Sequence, residues 1–219
     1  MACEAIAYAR AGLVGNPSDG YYGKTISIIL RNFAAKVTLY ESPEIEIVPS
    51  FQDRMKYATM SELVRDVENN GYYGGLRLMK GAVRKFFDYC TVNHIELEDR
   101  NFSIRYRSSI PRRLGLAGSS ALVTATMSCL MEFYDVEIPK QFLPNLILSV
   151  ETEELGIAAG LQDRVIQVYG GVVFMDFSRE IMDLQGHGDY ETLDTTLLPP
   201  IFLAYQEDLG QGSEVIHQT

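Results

Sequence analysis

Apolar and polar positions alternate in the first third of the chain. Ala5 to Ala9 reads as a short strand leading into the loop Gly15-Asn16-Pro17-Ser18-Asp19-Gly20. Lys24 to Leu30, Ala34 to Tyr40 and Glu44 to Val48 are rich in Ile and Val and broken at Asn32 and Pro43, which predicts three more strands. The period then changes. Leu76, Met79, Val83, Phe86 and Cys90 follow steps of 3, 4, 3 and 4, the spacing of a one-sided amphipathic helix. A shorter helix capped by Ser61 is predicted before it. Phe102, Ile104 and Tyr106 alternate with polar neighbours, so Asn101 to Arg107 is predicted as a half-buried strand.

The second half mixes the two periods. Leu122, Ala125, Cys129, Leu130 and Phe133 share one face of a helix that starts inside a Gly-rich segment. Pro144 suits the first turn of a helix running to about Leu155. Gly171 to Asp176 and Ile201 to Tyr205 read as strands, Gln185 to Asp189 and Asp208 to Ser213 as loops. Strands followed by an irregular mixture of helices and strands imply α+β with a partly antiparallel sheet, not a doubly wound one.

Composition narrows the function classes. The 219 residues are 47% apolar and 22% charged, ordinary for a globular protein able to bury its own core. A formal charge of -10 argues against a nucleic-acid partner, which requires a basic surface. Cationic side chains do gather near the Gly-rich segment: Arg105, Arg107, Arg112 and Arg113. Cys3, Cys90 and Cys129 form neither a C-x-x-C nor a disulfide framework, and Cys90 and Cys129 sit on apolar faces as small core residues. His94, His187 and His217 lack metal-ligand spacing and read as surface or loop residues. With neither an 18-residue apolar run nor a secretory leader, the expectation is a cytoplasmic protein without a membrane partner.

The chemistry concentrates in three places. The first is Pro111-Arg112-Arg113-Leu114-Gly115-Leu116-Ala117-Gly118-Ser119-Ser120-Ala121. Backbone N–H groups converging on a helix N-terminus bind anions, and glycines let a phosphate come close. Gly115 and Gly118 supply that freedom; Ser119 and Ser120 add hydroxyls. The segment is neither a G-x-x-x-x-G-K-[ST] loop nor a G-x-G-x-x-G fingerprint, and residues alone also permit a simple Gly/Ser-rich helix cap. The second is the loop with Asn16 and Asp19, polar groups able to bind adjacent hydroxyls or to form an Asx turn. The third is Glu151, twelve residues before Asp163 in Gly160-Leu161-Gln162-Asp163-Arg164, where a general base or a surface Asp–Arg pair fits.

Together these segments resemble the GHMP kinases, the family of galactokinase, homoserine kinase, mevalonate kinase and phosphomevalonate kinase. The Gly-rich run is similar to that family's P-x-x-x-G-L-G-S-S-A motif, with Ala117 where Gly is usual. The resemblance implies ATP cradled by Pro111, Gly115, Leu116, Ala117, Gly118, Ser119, Ser120 and Ala121. It implies catalytic roles for Arg10 and Asp163, acceptor contacts from Asn16, Asp19 and Gln162, and Mg²⁺ held by Ser120 and Glu151, with Glu153 and Glu154 as competitors for the last place. The implied fold is a ribosomal protein S5 domain 2-like α+β domain over residues 1–200, a mixed sheet with helices mainly on one face. Residues 201–219 would begin a C-terminal ferredoxin-like domain that is largely missing, together with its Gly-rich motif.

Longer-range likeness points within the family. Asn70 to Gly75, Val168 to Gly171, Met175 to Ser178 and Gly186-His187-Gly188 resemble the branch that phosphorylates a sugar acid such as D-glucuronate at its anomeric hydroxyl. A uronate brings a carboxylate, so a cation is expected in the pocket, with Arg10, Lys24 and Arg164 as candidates. Tyr21, Tyr22, Tyr72 and Tyr73 are available to pack on sugar or adenine or within the fold. The alternatives are another sugar (galacturonate, fucose or a heptose) or a non-catalytic sugar- or nucleotide-binding regulator.

Overall fold

The structure, a computed structural model, describes residues 2–49, 53, 58–61, 74–112 and 114–205. The continuation of the helix predicted at Ser61, the run 70–73 with Tyr72 and Tyr73, Arg113, the loop predicted at 208–213 and His217 lie outside the described residues. The fold is α+β with a mixed sheet. Its elements in chain order are β1 (Ala2–Val14), β2 (Lys24–Ser42), β3 (Glu46–Ile47), α1 (Gly75–Val92), β4 (Asn101–Ser108), α2 (Gly118–Tyr134), α3 (Leu143–Ser149), α4 (Gln162–Tyr169), β5 (Val172–Asp176), α5 (Arg179–Gln185) and β6 (Asp189–Leu193). A 3-10 turn spans Ser18–Tyr21, and a π-helical turn, Val150–Glu154, follows α3 directly.

β2 organises the sheet. Along one edge it pairs antiparallel with β1; along the other, its first half pairs with β5 and its second half with β4. β3 adds parallel to β4, and β6 closes the far side against β5. The two strands predicted either side of Asn32 are therefore one strand. The register slips from Tyr8↔Ala34 to Ala9↔Leu30, so Arg31, Asn32 and Phe33 form a bulge rather than a break. Ala35, Val37 and Leu39 are buried while the residues between them are not, the alternation of a sheet covered on one face.

Two hydrophobic clusters fill the interior. The larger gathers β1, β2, β4 and the helices α1 and α2, with Phe86, Phe102 and Phe133 among its largest side chains. The smaller consists of Leu161, Val165, Ile166, Val173, Met175 and Phe177, contributed by the α4 and β5 region. α2 is buried almost all round from Ser120 to Met127, because the sheet covers one side and α1, α3 and α4 cover others. All three cysteines are free and buried, and burial pushes the Cys129 thiol up to about 12. No described helix is long and apolar enough to cross a membrane.

Several expectations are corrected. Ile201 to Tyr205 is not a strand; its Tyr205 ring meets Phe33 edge-on beside the β2 bulge. Only Glu46 and Ile47 of the strand predicted at Glu44 to Val48 form one. Gln185 to Asp189 is not wholly loop, since α5 ends at Gln185 and β6 begins at Asp189. Arg105 and Arg107 point from the exposed face of β4, Arg105 over the Tyr40 ring.

Where β2 meets β5, Lys24 Nζ lies 2.6 Å from Asp176 Oδ2. That bond, helped by the Ser178 N–H, holds the Asp176 carboxyl below its ordinary value against the opposing effect of burial. A depressed folded value means that the stabilisation is complete above the unfolded value near 3.9 and lost as pH falls through the folded one. Lys24→Met is therefore expected to cost stability at pH 7 and progressively less below about pH 4. Urea titrations of both proteins across that range measure this; a constant difference would contradict it.

Candidate active site

The site forms where β1, the Gly-rich loop, α4 and the β1–β2 loop converge. Arg10, near the end of β1, donates from Nε and Nη2 to Asp163 Oδ1, both at 2.5 Å. Its Nη1 donates to the Gly115 carbonyl at 3.1 Å, and its backbone N–H to the Leu116 carbonyl at 3.3 Å. One arginine thus ties the expected catalytic carboxylate to the expected phosphate loop. Arg10 and Asp163 are part-buried, with side-chain exposures of 12% and 19%, which strengthens an ionic contact relative to open solvent.

The Gly-rich loop is anchored by its apolar residues: Leu116 is buried and Leu114 packs on the larger cluster. Among the described residues no side chain caps α2, so its first N–H groups face outward with the positive end of the helix dipole. Ser120 is fully buried and its hydroxyl donates to the Ala117 carbonyl at 3.1 Å. Gln167 braces the same carbonyl at 2.9 Å and the Tyr8 carbonyl at 3.1 Å, joining loop, β1 and α4. Sequence reasoning missed Gln167, which stands outside every recognisable motif.

Backbone freedom in the loop is needed at one of the two positions expected. Gly115 has φ +66, but Gly118 opens an ordinary helix, and the second left-handed residue is Ala117, with φ 60 and ψ 44. A left-handed L-residue costs about 1–2 kcal/mol, and glycine's extra freedom in the unfolded chain takes back about 0.4–1 kcal/mol. Ala117→Gly is thus expected to leave stability unchanged or to raise it by up to about 1.6 kcal/mol, read by urea denaturation. A clear loss would show that the alanine methyl matters more than its backbone.

The β1–β2 loop is locked onto the start of α4. Asp19 Oδ2 accepts the Gln162 N–H at 2.9 Å, and a Cβ on Gly160 would fall 2.2 Å from the same oxygen. Gln162 is 1% exposed, and its Nε2 donates to Ser27 Oγ at 2.6 Å, so it braces β2 beneath the loop. Asn16 is exposed on the loop, and a Cβ on Gly12 would meet both its Cβ and Gln162 Nε2 inside 3.0 Å. Gly12 and Gly160 leave the room into which the side chains of Asn16, Gln162 and Asp19 pack.

Behind Asp163 lies a buried ion pair. Arg164 and Glu151 are each 2% exposed, and Arg164 Nη2 donates to Glu151 Oε2. Arg164 Nη1 also donates to the Gly160 carbonyl at 2.8 Å and reaches Asp163 Oδ2 at 3.5 Å. Burial pulls the guanidinium's pKa down, but the charges of Glu151 and Asp163 outweigh it and the net shift is upward. Charges thus alternate as Glu151, Arg164, Asp163 and Arg10. Of the competitors for the metal, Glu153 pairs with Lys85 on the surface at 2.6 Å. Among the described residues no cluster of three or more His, Cys, Asp or Glu could hold a metal ion by itself.

Residues 77–171 match the model of the GHMP kinases N terminal domain. Over 217 residues the chain is 48% identical to Glucuronokinase 1 of Arabidopsis thaliana, covering 98% of this chain and 60% of that protein. A shorter stretch of 77 residues is 34% identical to D-glycero-alpha-D-manno-heptose 7-phosphate kinase of Campylobacter jejuni, covering 35% of this chain and 23% of the other. Among solved structures, a D-glycero-D-manno-heptose 1-phosphate kinase from Bacteroides thetaiotaomicron superposes with a TM-score of 0.67 at 25% identity, over 89% of this chain and 60% of that one. Lactococcus lactis galactokinase, complexed with galactose, shares the fold at 15% identity and a TM-score of 0.63, over 87% of this chain and 46% of its own. The chain spans about 60% of the length of the curated glucuronokinases it matches. Motif, fold and relatives agree that the chain is similar to the GHMP kinases over most of its length, with the N terminal domain of that family matched at residues 77–171.

Proposed function

We propose that the protein is an ATP-dependent sugar-1-kinase that transfers the γ-phosphoryl group to the anomeric hydroxyl of D-glucuronate. The observation that carries this reading is Arg10, which holds Asp163 at 2.5 Å while donating to Gly115, so that a carboxylate stands at the mouth of an anion-binding loop. The likeness to Glucuronokinase 1 supports the choice of acceptor. Residues up to about 200 would form the nucleotide- and acceptor-binding half of a longer enzyme working in the cytoplasm.

Phosphoryl transfer passes through a loose transition state, so the protein's task is chiefly positioning and charge stabilisation. The N–H groups opening α2 bind the phosphates, and Arg10 lies beside them. The anomeric oxygen attacks the γ-phosphorus, the bond to the β-phosphate oxygen breaks, ADP leaves, and the hydroxyl proton passes to Asp163. Magnesium, when bound with the nucleotide, would offset phosphate charge. Ser120 and Glu151 suit it as hard oxygen donors, two protein ligands being enough beside water and phosphate. Glu151 Oε2, however, is already engaged by Arg164, so no step is assigned to that carboxylate.

The test is ATP consumption by the full-length protein with glucuronate, galacturonate, galactose, fucose and mevalonate. Preference for glucuronate is the expected result; preference for galactose or mevalonate by orders of magnitude would overturn the acceptor. No transfer to any of them would leave the binding regulator as the better reading.

A further inference from the structure

Glucuronate differs from a neutral hexose by its carboxylate, and a chain of net charge -10 needs a local cation to receive it. All three cations expected from the sequence already serve carboxylates within the fold. Arg10 is held by Asp163, Arg164 is buried against Glu151, and Lys24 is paired with Asp176. A fourth cation, with no motif to mark it, stands at the end of the β1–β2 loop. Arg179 opens α5 on the surface, and its guanidinium carbon lies 4.5 Å from the centroid of the Tyr22 ring.

The backbone fixes that meeting. Phe177 N–H donates to the Gly23 carbonyl at 3.0 Å, and Lys24 pairs with Asp176, so the chain leaving β5 is stitched to the chain entering β2. Tyr22 ends the 3-10 turn in the left-handed region, φ 60, with its ring about half exposed. A bulky residue held in that conformation is strained, and such strain concentrates at ligand sites. The same turn begins with Ser18 and Asp19, and Asp19 caps the residue next to Asp163. At about 2 Å of rise per residue, Asp19 and Tyr22 stand roughly 6 Å apart along the turn. In a pyranuronate the anomeric hydroxyl on C1 and the carboxylate on C5 flank the ring oxygen, a separation of the same order.

We propose that Arg179, seated on Tyr22, binds the carboxylate of the sugar acid and so selects a uronate over a neutral hexose. This rests on the sugar-acid kinase reading above. A guanidinium lying over an aromatic ring keeps its N–H edge for a bidentate carboxylate contact, and the ring lowers the entropy lost in making it.

The test is steady-state kinetics of the full-length enzyme, wild type, Arg179→Ala, Arg179→Lys and Lys24→Met, with glucuronate and with glucose as its neutral counterpart. Arg179→Ala is expected to raise KM for glucuronate about 10- to 100-fold with kcat little changed, and to leave kcat/KM for glucose unaltered. Arg179→Lys should recover part of the loss, keeping the charge without the fork. If wild type phosphorylates glucuronate and Arg179→Ala keeps its KM, or if Lys24→Met shows the KM effect instead, the assignment to Arg179 is overturned while the kinase reading stands. If wild type ignores uronates, that reading falls and the proposal falls with it.

Discussion

Replacing Arg164 by methionine is expected to destabilise the protein by about 3–5 kcal/mol, the largest stability effect of any single change proposed for this chain. The mutation strands Glu151, 2% exposed, without its cation, and removes the donor to the Gly160 carbonyl. At roughly 2–4 °C per kcal/mol for a domain of this size, the full-length protein should melt about 6–20 °C lower. The partner matters more than the loss of charge itself. A buried pair exchanged for apolar groups of similar volume is often neutral or stabilising, so Glu151→Leu with Arg164→Met should recover most of the deficit. A single variant that melts with wild type, or a double variant no better than the single, would show that the pair is not the keystone its burial implies.

Asp163→Asn should leave the fold nearly intact and lower kcat by about 10²–10⁴-fold. The amide keeps the shape of the side chain in the first turn of α4 but can neither accept the hydroxyl proton nor offer Arg10 a charge. KM for the sugar is expected to move only a few-fold, because Asp19 and Asn16 are untouched. Single-turnover transfer with saturating ATP and glucuronate measures the effect directly. Wild-type rates in this variant would remove Asp163 from the chemistry.

Much of this architecture was legible in the sequence where one physical signal dominated. The 3-4-3-4 spacing from Leu76 to Cys90 marks α1 because only one face of that helix is covered. The glycines and serines before Ala121 announce the start of α2. The failures have equally concrete causes. β6 reads Asp-Tyr-Glu-Thr-Leu, a polar strand because it lies at the edge of the sheet, where alternation carries little. α4 has eight residues, too few for a periodic signal, so its motif was recognised before its helix. Asn32 looks like a break because a bulge and a turn use the same residues.

The site divides along the same line. Arg10, Asp163 and the Gly-rich loop announced themselves through local pattern, and the structure brings them together. The Arg164–Glu151 pair spans thirteen residues and a π-helical turn, so no local pattern exposes it. Arg164 looked like a ligand for substrate because sequence shows charge but not burial. Gln167 and Arg179 gain their meaning only from β1 and from the β1–β2 loop, partners far away in the chain.

The two hydrophobic clusters bear on how the site comes apart. Arg10 rides on the strand, and Leu114 and Leu116 tie the phosphate loop, to the large one; Asp163 rides on the helix that builds the small one. Cooperative units within one fold open at different free energies, and the one with fewer buried apolar contacts is expected to open first. On the kinase reading proposed above, catalytic competence would follow the weaker unit, and a brief excursion of α4 and β5 would disarm the site while most amides stayed protected. Inactivation would then be a subglobal event that precedes denaturation.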